Sequence, residues 1–239
     1  MGSFEGQVAM VTGATSGIGR AITLALARQG ATVHAVCRRE AALRELLESC
    51  PGAIEIHPTD LGRPEGIGAL ARVFPGSGAR VDILVHSAGV FSMGPVEAAT
   101  MEDFDEMWRV NLLGPYLLTQ ALLGPLRVAR GQVVFINSTA GLQAKGGLAQ
   151  YAATKAGLKA VADSLRDEIN ADGVRVLSVF PGRTASAMQA RIHELEGRAY
   201  DPSRLMSPDA VAAAVTDALA LDRSAELTEL TIRPMTKLA

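Results

Sequence analysis

What the chain lacks narrows its class. It has only two cysteines, Cys37 and Cys50, and their spacing suits neither a metal knuckle nor a disulfide framework, so no metal site is read and a reducing, cytoplasmic setting is the expectation. Charge of one sign is also missing. Lys plus Arg number 23 against 25 for Asp plus Glu, a formal net charge of −2 with a pI near 6.1. No basic surface therefore advertises nucleic acid or an anionic membrane, and neither is expected as a partner. A run of about 18 apolar residues, the length that would suggest a membrane span, is absent. The start Met1-Gly-Ser-Phe-Glu-Gly6 has no basic region followed by an apolar stretch, and no secretion signal is read there.

What is present reads as one α/β domain. The 239 residues are 48% hydrophobic and 20% charged, with 24 glycines and 11 prolines spread along the chain, enough to bury a substantial core. Strand-like and helix-like segments alternate without repeat or linker. That alternation predicts a single domain over 1–239, a parallel sheet with helices on both faces.

The first strand, Gln7–Val11, runs into Thr12-Gly-Ala-Thr-Ser-Gly-Ile-Gly19, and a helix follows with Ile18, Ile22 and Leu26 on one face and Gly30 as its stop. Glycines between a buried strand and a helix start let the backbone approach a phosphate, whose charge the free helix N–H groups hold. An ordinary glycine-rich turn is the plainer alternative. The second strand, Ala31–Val36, ends in Cys37-Arg38-Arg39 with no acid before Glu40. At that strand end an acid would bind an adenosine 2′-hydroxyl, whereas arginine suits a 2′-phosphate. Arg38 and Arg39 thus favour NADP over NAD, unless both are simply solvated residues opening the next helix.

A third strand, Ala53–His57, leads to Asp60-Leu61, and a fourth, Val81–Val85, leads to His86-Ser87-Ala88-Gly89. A long helical pattern then starts at Thr100, whose hydroxyl can cap the turn with Asp103 three places on, and runs toward Leu126. Pro115 interrupts it and removes the hydrogen bond to the Asn111 carbonyl, which leaves either a site for an ordered water or a plain kink. The fifth strand, Gln132–Ile136, delivers Asn137 and Ser138 at the sheet edge where open α/β sheets bind ligands. Tyr151 and Lys155 stand at i and i+4, on one helical face. A phenol of pKa about 10 needs roughly 4 kcal/mol to move three units, which an ammonium and a second positive charge in a dry site can supply; two solvated residues are the alternative. The same helix is apolar over more than one stripe, as in a core or a subunit interface. The sixth strand, Val174–Phe180, stops at Pro181-Gly182, and 183–206 is a candidate lid of mixed character. Ser207-Pro208 opens a helix to about Leu221, and Glu226–Arg233 forms the last strand.

Taken in order, Thr12-Gly-x-x-x-Gly-Ile-Gly19, Asp60, His86-Ser-Ala-Gly89, Asn111, Ser138, Tyr151-x-x-x-Lys155 and Pro181-Gly182 make a chain that resembles the short-chain dehydrogenases/reductases from Gln7 to Arg233. The resemblance implies a Rossmann-type, doubly wound, seven-stranded parallel sheet with three helices on each face. It implies a nicotinamide dinucleotide as cofactor, NADP(H) on the strength of Arg38 and Arg39, lying against Gly13, Thr15, Ser16, Gly17, Ile18 and Gly19. Further contacts would come from Arg38, Arg39, Asp60 and Leu61, then from Ser87, Ala88 and Gly89, and finally from Pro181, Gly182, Thr184 and Ser186. It also implies that Tyr151 exchanges a proton with a carbonyl or alcohol oxygen held by Ser138. Lys155 binds the nicotinamide ribose and lowers the phenol pKa, while Asn111 holds a water. His86-Ser87 replaces the family's usual pair of asparagines, which casts doubt on the local sheet bonding. Ser16 replaces the basic residue that often accompanies NADP. Phe91, Met93, Leu142, Gln143 and the 183–206 segment are expected to line a mostly apolar pocket for a small carbonyl or alcohol substrate with an uncharged reacting end. A homotetramer or homodimer is expected. Two other readings stay open: a catalytically silent NADP-binding scaffold or redox-sensing regulator, and an epimerase or dehydratase of the same superfamily.

Overall fold

A computed structural model of the chain describes residues 3–50, 53–76 and 78–235. Met1 and Gly2, where the reading for a secretion signal begins, and 236–239, the end of the 1–239 domain span, lie outside the described residues.

Each short apolar run becomes a strand, and all the pairings are parallel: β1 (Val8–Thr12), β2 (Thr32–Cys37), β3 (Ile54–Pro58), β4 (Ile83–His86), β5 (Gln132–Ile136), β6 (Arg175–Pro181) and β7 (Glu229–Ile232). Their spatial order is β3-β2-β1-β4-β5-β6-β7. The order reverses between β1 and β4, so the loops leaving these two strands diverge and open the crevice in which such sheets bind ligands.

Helices α1 (Gly17–Arg28), α2 (Glu40–Ser49) and α3 (Pro64–Ala71) lie between the first strands, and α4 (Met101–Trp108) and α5 (Gly114–Ala129) between β4 and β5. Then come α6 (Ala149–Ile169), α7 (Ala187–Leu195) and α8 (Pro208–Leu219). Two buried clusters separate the faces. Ile22, Leu26, Leu43, Leu46, Val211 and Val215 bring α1, α2 and α8 to one side. Leu70, Leu118, Leu122, Leu126, Leu158 and Leu165 bring α3, α5 and α6 to the other. The β1, β2, β4 and β5 residues are almost wholly buried, which explains their unbroken apolar runs.

Local chemistry sets the ends. Gly30 follows α1 with φ 98°, a conformation that suits a residue without Cβ. Ser207 accepts a hydrogen bond from the Asp209 amide with Pro208 in the first turn of α8. Thr100 accepts from the Asp103 amide at 3.2 Å, but the Asp103 carboxylate takes the Ser92 hydroxyl instead of closing a capping box. The long pattern read from Thr100 to Leu126 is not one α-helix. A π-helical turn over Arg109–Leu113 links α4 to α5, and Gly114 N–H reaches back to the Arg109 carbonyl. This widened turn places Pro115 in the first turn of α5, where a missing N–H costs little. It also swings Asn111 fully inward.

The substitution at His86 does not disturb the sheet. His86 pairs in register with both Thr12 and Phe135. Thr12 does the tying, because its hydroxyl donates to the Val85 carbonyl and accepts from the Ser87 and Ala88 amides at 3.0 and 3.1 Å. His86 itself is buried, stacked on Phe135 and bonded through Nε2 to Thr119 at 2.8 Å. Burial lowers its pKa to about 3.

Candidate active site

Two glycines of the loop after β1 have no room for a side chain. A Cβ on Gly13, which has φ 66°, would sit 2.8 Å from the Ala88 backbone, and one on Gly19 would sit 2.3 Å from the Gly13 carbonyl. The loops after β1 and β4 thus touch, and α1 packs directly on the β1 end. Ser16 precedes α1 without a side-chain cap, and the first turn carries no acid. Its amides are left facing the crevice without a competing negative charge, the arrangement a phosphate requires. Thr15 turns its hydroxyl to Cys37 Sγ at 3.1 Å, while Ile18 packs into the core.

Across the crevice, Ser186 approaches Gly17: a Cβ there would lie 3.3 Å from Ser186 Cβ. Pro181 ends β6, and Gly182 donates to the Ile232 carbonyl at 2.7 Å. Thr184 is buried, donates to the Gly182 carbonyl and bridges to Met206. The 183–206 segment is folded, not a loose flap. α7 is capped by Ser186, and Arg183 clamps Glu196 through two bonds that hold its carboxyl below the ordinary range.

The adenosine end is more open. Arg38 is exposed and meets Glu106 at 3.5 Å, at the edge of ion-pair range, and Arg39 is exposed at the start of α2. Asp60 accepts from the Gly62 amide at 2.9 Å and lies 3.6 Å from Arg63. Leu61 is buried in the core, its carbonyl abutting Gly114.

The chemical centre forms where β5 ends against α6. Tyr151, Ser138 and Lys155 come together as their positions in the sequence predict. Tyr151 is buried, the Ser138 hydroxyl is near enough to its phenol to draw the phenol pKa down, and Phe91 meets its ring edge-on at 4.9 Å. Lys155 Nζ lies 6.0 Å from the phenol ring centroid and donates to the Ile136 carbonyl at 3.0 Å. The electrostatics depart from expectation. Burial raises the Tyr151 pKa, more than the Ser138 bond lowers it, and burial also pushes the Lys155 ammonium down to about 8. Lys155 does not offset that burial within the chain. Within the chain, Tyr151 is therefore held as a protonated donor.

Three residues without an assigned role in the sequence reading brace this centre and the loop beside it. Asn137 donates through Nδ2 to the Lys155 carbonyl at 3.0 Å and accepts the Ser138 amide on Oδ1 at 2.9 Å, so one amide fixes both functional residues. Thr154 donates to the Tyr151 carbonyl and accepts from Asn111 Nδ2. The Asn111 side chain also exchanges bonds with the Val90 backbone at 2.8 and 2.9 Å. Asn111 thus ties α6 to the loop that carries Gly89 and Phe91. Thr12 is the third. A polar residue at the end of an otherwise apolar strand was the available signal for Thr12 and Asn137; Thr154 had none. Of the remaining predicted pocket residues, Leu142 is exposed just beyond the turn after Ser138.

Comparison with known proteins fits this geometry. The sequence profile described as short chain dehydrogenase matches residues 7–197. An uncharacterized oxidoreductase of Staphylococcus epidermidis is 30% identical over 236 residues, covering 98% of this chain and 100% of that protein. The closed form of a serine dehydrogenase complexed with NADP+ superposes with a TM-score of 0.88 at 27% identity, over 98% of this chain and 97% of the other. An alcohol dehydrogenase from the archaeon Thermococcus sibiricus, complexed with 5-hydroxy-NADP, gives a TM-score of 0.85 at 27% identity, over 98% of both chains.

Proposed function

The chain belongs to the short chain dehydrogenase family, and from that premise we propose that it is an NADP(H)-dependent oxidoreductase interconverting a carbonyl and a secondary alcohol on a small molecule. The observation that carries this reading is the meeting of half-buried Ser138 with buried Tyr151 and Lys155 on the carboxyl edge of the sheet, beside a glycine-bearing phosphate cradle. A bound nicotinamide dinucleotide supplies the hydride and, when oxidised, a positive ring charge.

The chain's residues do the rest. The α1 amides and Gly13 to Gly19 hold the pyrophosphate, and Arg38 and Arg39 hold the 2′-phosphate. Asp60 faces the adenine side. Ser87, Ala88 and Gly89 border the middle of the cofactor, and Pro181, Gly182, Thr184 and Ser186 its nicotinamide end. Ser138 donates a hydrogen bond to the substrate carbonyl oxygen and places it at the Tyr151 hydroxyl. Tyr151, kept protonated by burial, gives its proton to that oxygen during reduction and takes it back during oxidation. Lys155 holds the nicotinamide ribose, and its pKa near 8 lets it pass a proton to the phenolate at physiological pH. Asn111, within the π-helical turn, ties α6 to the loop after β4 and would help hold a water that connects Lys155 to solvent. Phe91 shields one side of the phenol, which favours an uncharged reacting end. Ala153, Ala156 and Ala160 leave a small-residue face of α6 exposed, in keeping with a homodimer or homotetramer.

A panel of carbonyl compounds and alcohols with NADPH, NADH and their oxidised forms tests the assignment. Tyr151→Phe should lower kcat by about 10²- to 10⁴-fold while NADPH affinity is kept. Turnover at the parent rate in that variant sinks the mechanism, and tight NADPH binding with no oxidation by any substrate points to a silent scaffold.

A further inference from the structure

We propose that His34, Glu55 and His57 form a binding site for a divalent first-row metal ion, zinc being the best fit, at the outer edge of the sheet away from Tyr151. The site stands on its own residues, whether or not the chain reduces a carbonyl.

The pairing of the two edge strands builds it. His34 of β2 is directly in register with Glu55 of β3, and His57, two residues on, projects from the same face of β3. His34 Nδ1 lies 2.9 Å from His57 Nε2 and 3.5 Å from Glu55 Oε2, and one ligand atom from each of the three residues falls within 4.8 Å of the others. A tetrahedral ion with bonds of ~2.0–2.1 Å needs ligand atoms about 3.3 Å apart. The nitrogens must therefore separate by a few tenths of an ångström at least, and His57 is only partly buried and free to give. His34 is fixed: it is buried, with Phe74 edge-on at 4.8 Å. Glu55 is exposed, so ion and solvent have an entry, and a water can fill the fourth position.

The donor chemistry agrees. Two imidazoles and a carboxylate suit zinc and its first-row neighbours, not calcium or magnesium, which prefer all-oxygen shells. Both rings must be neutral to ligate, and burial lowers the pKa of each, with Glu55 acting in the opposite direction. The plain alternative is an N–H···N bond between neutral imidazoles beside a solvated carboxylate. An ion there takes the place of the shared proton, which moves to another ring nitrogen. It would pin β2 to β3 just below the strand ends that carry Arg38, Arg39 and Asp60.

The test uses full-length, tag-free protein stripped with a chelator, then titrated with Co²⁺ and Zn²⁺ against a chromophoric competitor. The expected result is one ion per chain, visible cobalt absorption of a nitrogen and oxygen site, and a rise in Tm. His57→Gln, and separately Glu55→Gln at an exposed position, should each weaken binding by about tenfold or more, and Glu55→Gln should do so without moving the metal-free Tm. A double Cys37→Ser, Cys50→Ser variant should bind as the parent does. Absence of stoichiometric binding, or binding that both site variants retain and the cysteine variant loses, overturns the proposal.

Discussion

The two ends of the crevice are built on opposite plans. Where β5 meets α6, Tyr151, Lys155, Asn111 and Asn137 are buried, and backbone or side-chain partners fix the last three at 2.8–3.3 Å. Where β2 meets α2, Arg38 and Arg39 stand in solvent, and Arg38 has only a long contact to Glu106. Proton transfer tolerates little positional error, so its groups must be held before the substrate arrives. Charge recognition of a phosphate is less demanding, because a guanidinium can gather around its ligand. The protein spends its buried hydrogen bonds at the first end and leaves the second exposed.

Substitutions can break or sharpen this contrast. The largest effect is expected from Asn137→Ala, which leaves the Ser138 amide without its acceptor and removes the second bond to the helical Lys155 carbonyl, costing about 1–3 kcal/mol of stability. Urea unfolding measures that loss, and kcat should fall more than NADPH affinity does; an unchanged kcat would dissolve the distinction between the two ends. Replacing both Arg38 and Arg39 by Ala should do the reverse, weakening NADPH binding about 10- to 100-fold, from lost charge-assisted bonds of ~1.5–3 kcal/mol, with NADH affinity and stability little changed. Fluorescence titration through Trp108 reads this, and equal losses for both cofactors would remove the arginines from 2′-phosphate recognition. Thr12→Val keeps the shape but strips the acceptor from the Ser87 and Ala88 amides, for about 1–3 kcal/mol, seen as a lower urea midpoint.

The last comparison, His86→Asn, is read from the acid slope of stability and not from its value at neutral pH. The folded pKa of His86 is about 3, below its ordinary 6.5. The unfolded chain therefore binds the extra proton first, and stability falls as pH drops from about 6.5 toward 3. His34 and His57 add to the same slope, so the comparison of parent and variant isolates His86. A variant with the parent's acid slope would show that His86 does not contribute.

Much of this was legible from spacing. β5 falls where its apolar run predicts, the other strands shift by one to three residues, and the stop at Gly30 and the caps at Thr100 and Ser207 form as read. These features depend on a few neighbouring residues. The π-helical turn before Pro115 was read as a kink or a water site, because the choice rests on how α5 packs against Leu61 and the sheet. The doubt over His86 was misplaced because Thr12, distant in sequence, supplies the bonds.

The sequence by itself determined the alternating elements, the glycine cradle, and the i, i+4 placement of Tyr151 and Lys155, since periodicity and steric freedom are local properties. Only the tertiary structure decided their electrostatics. A pKa depends on what surrounds the group, and burial at the β5–α6 junction leaves the phenol protonated and brings the lysine to about 8, where the spacing alone had suggested a cation strong enough to lower its neighbour.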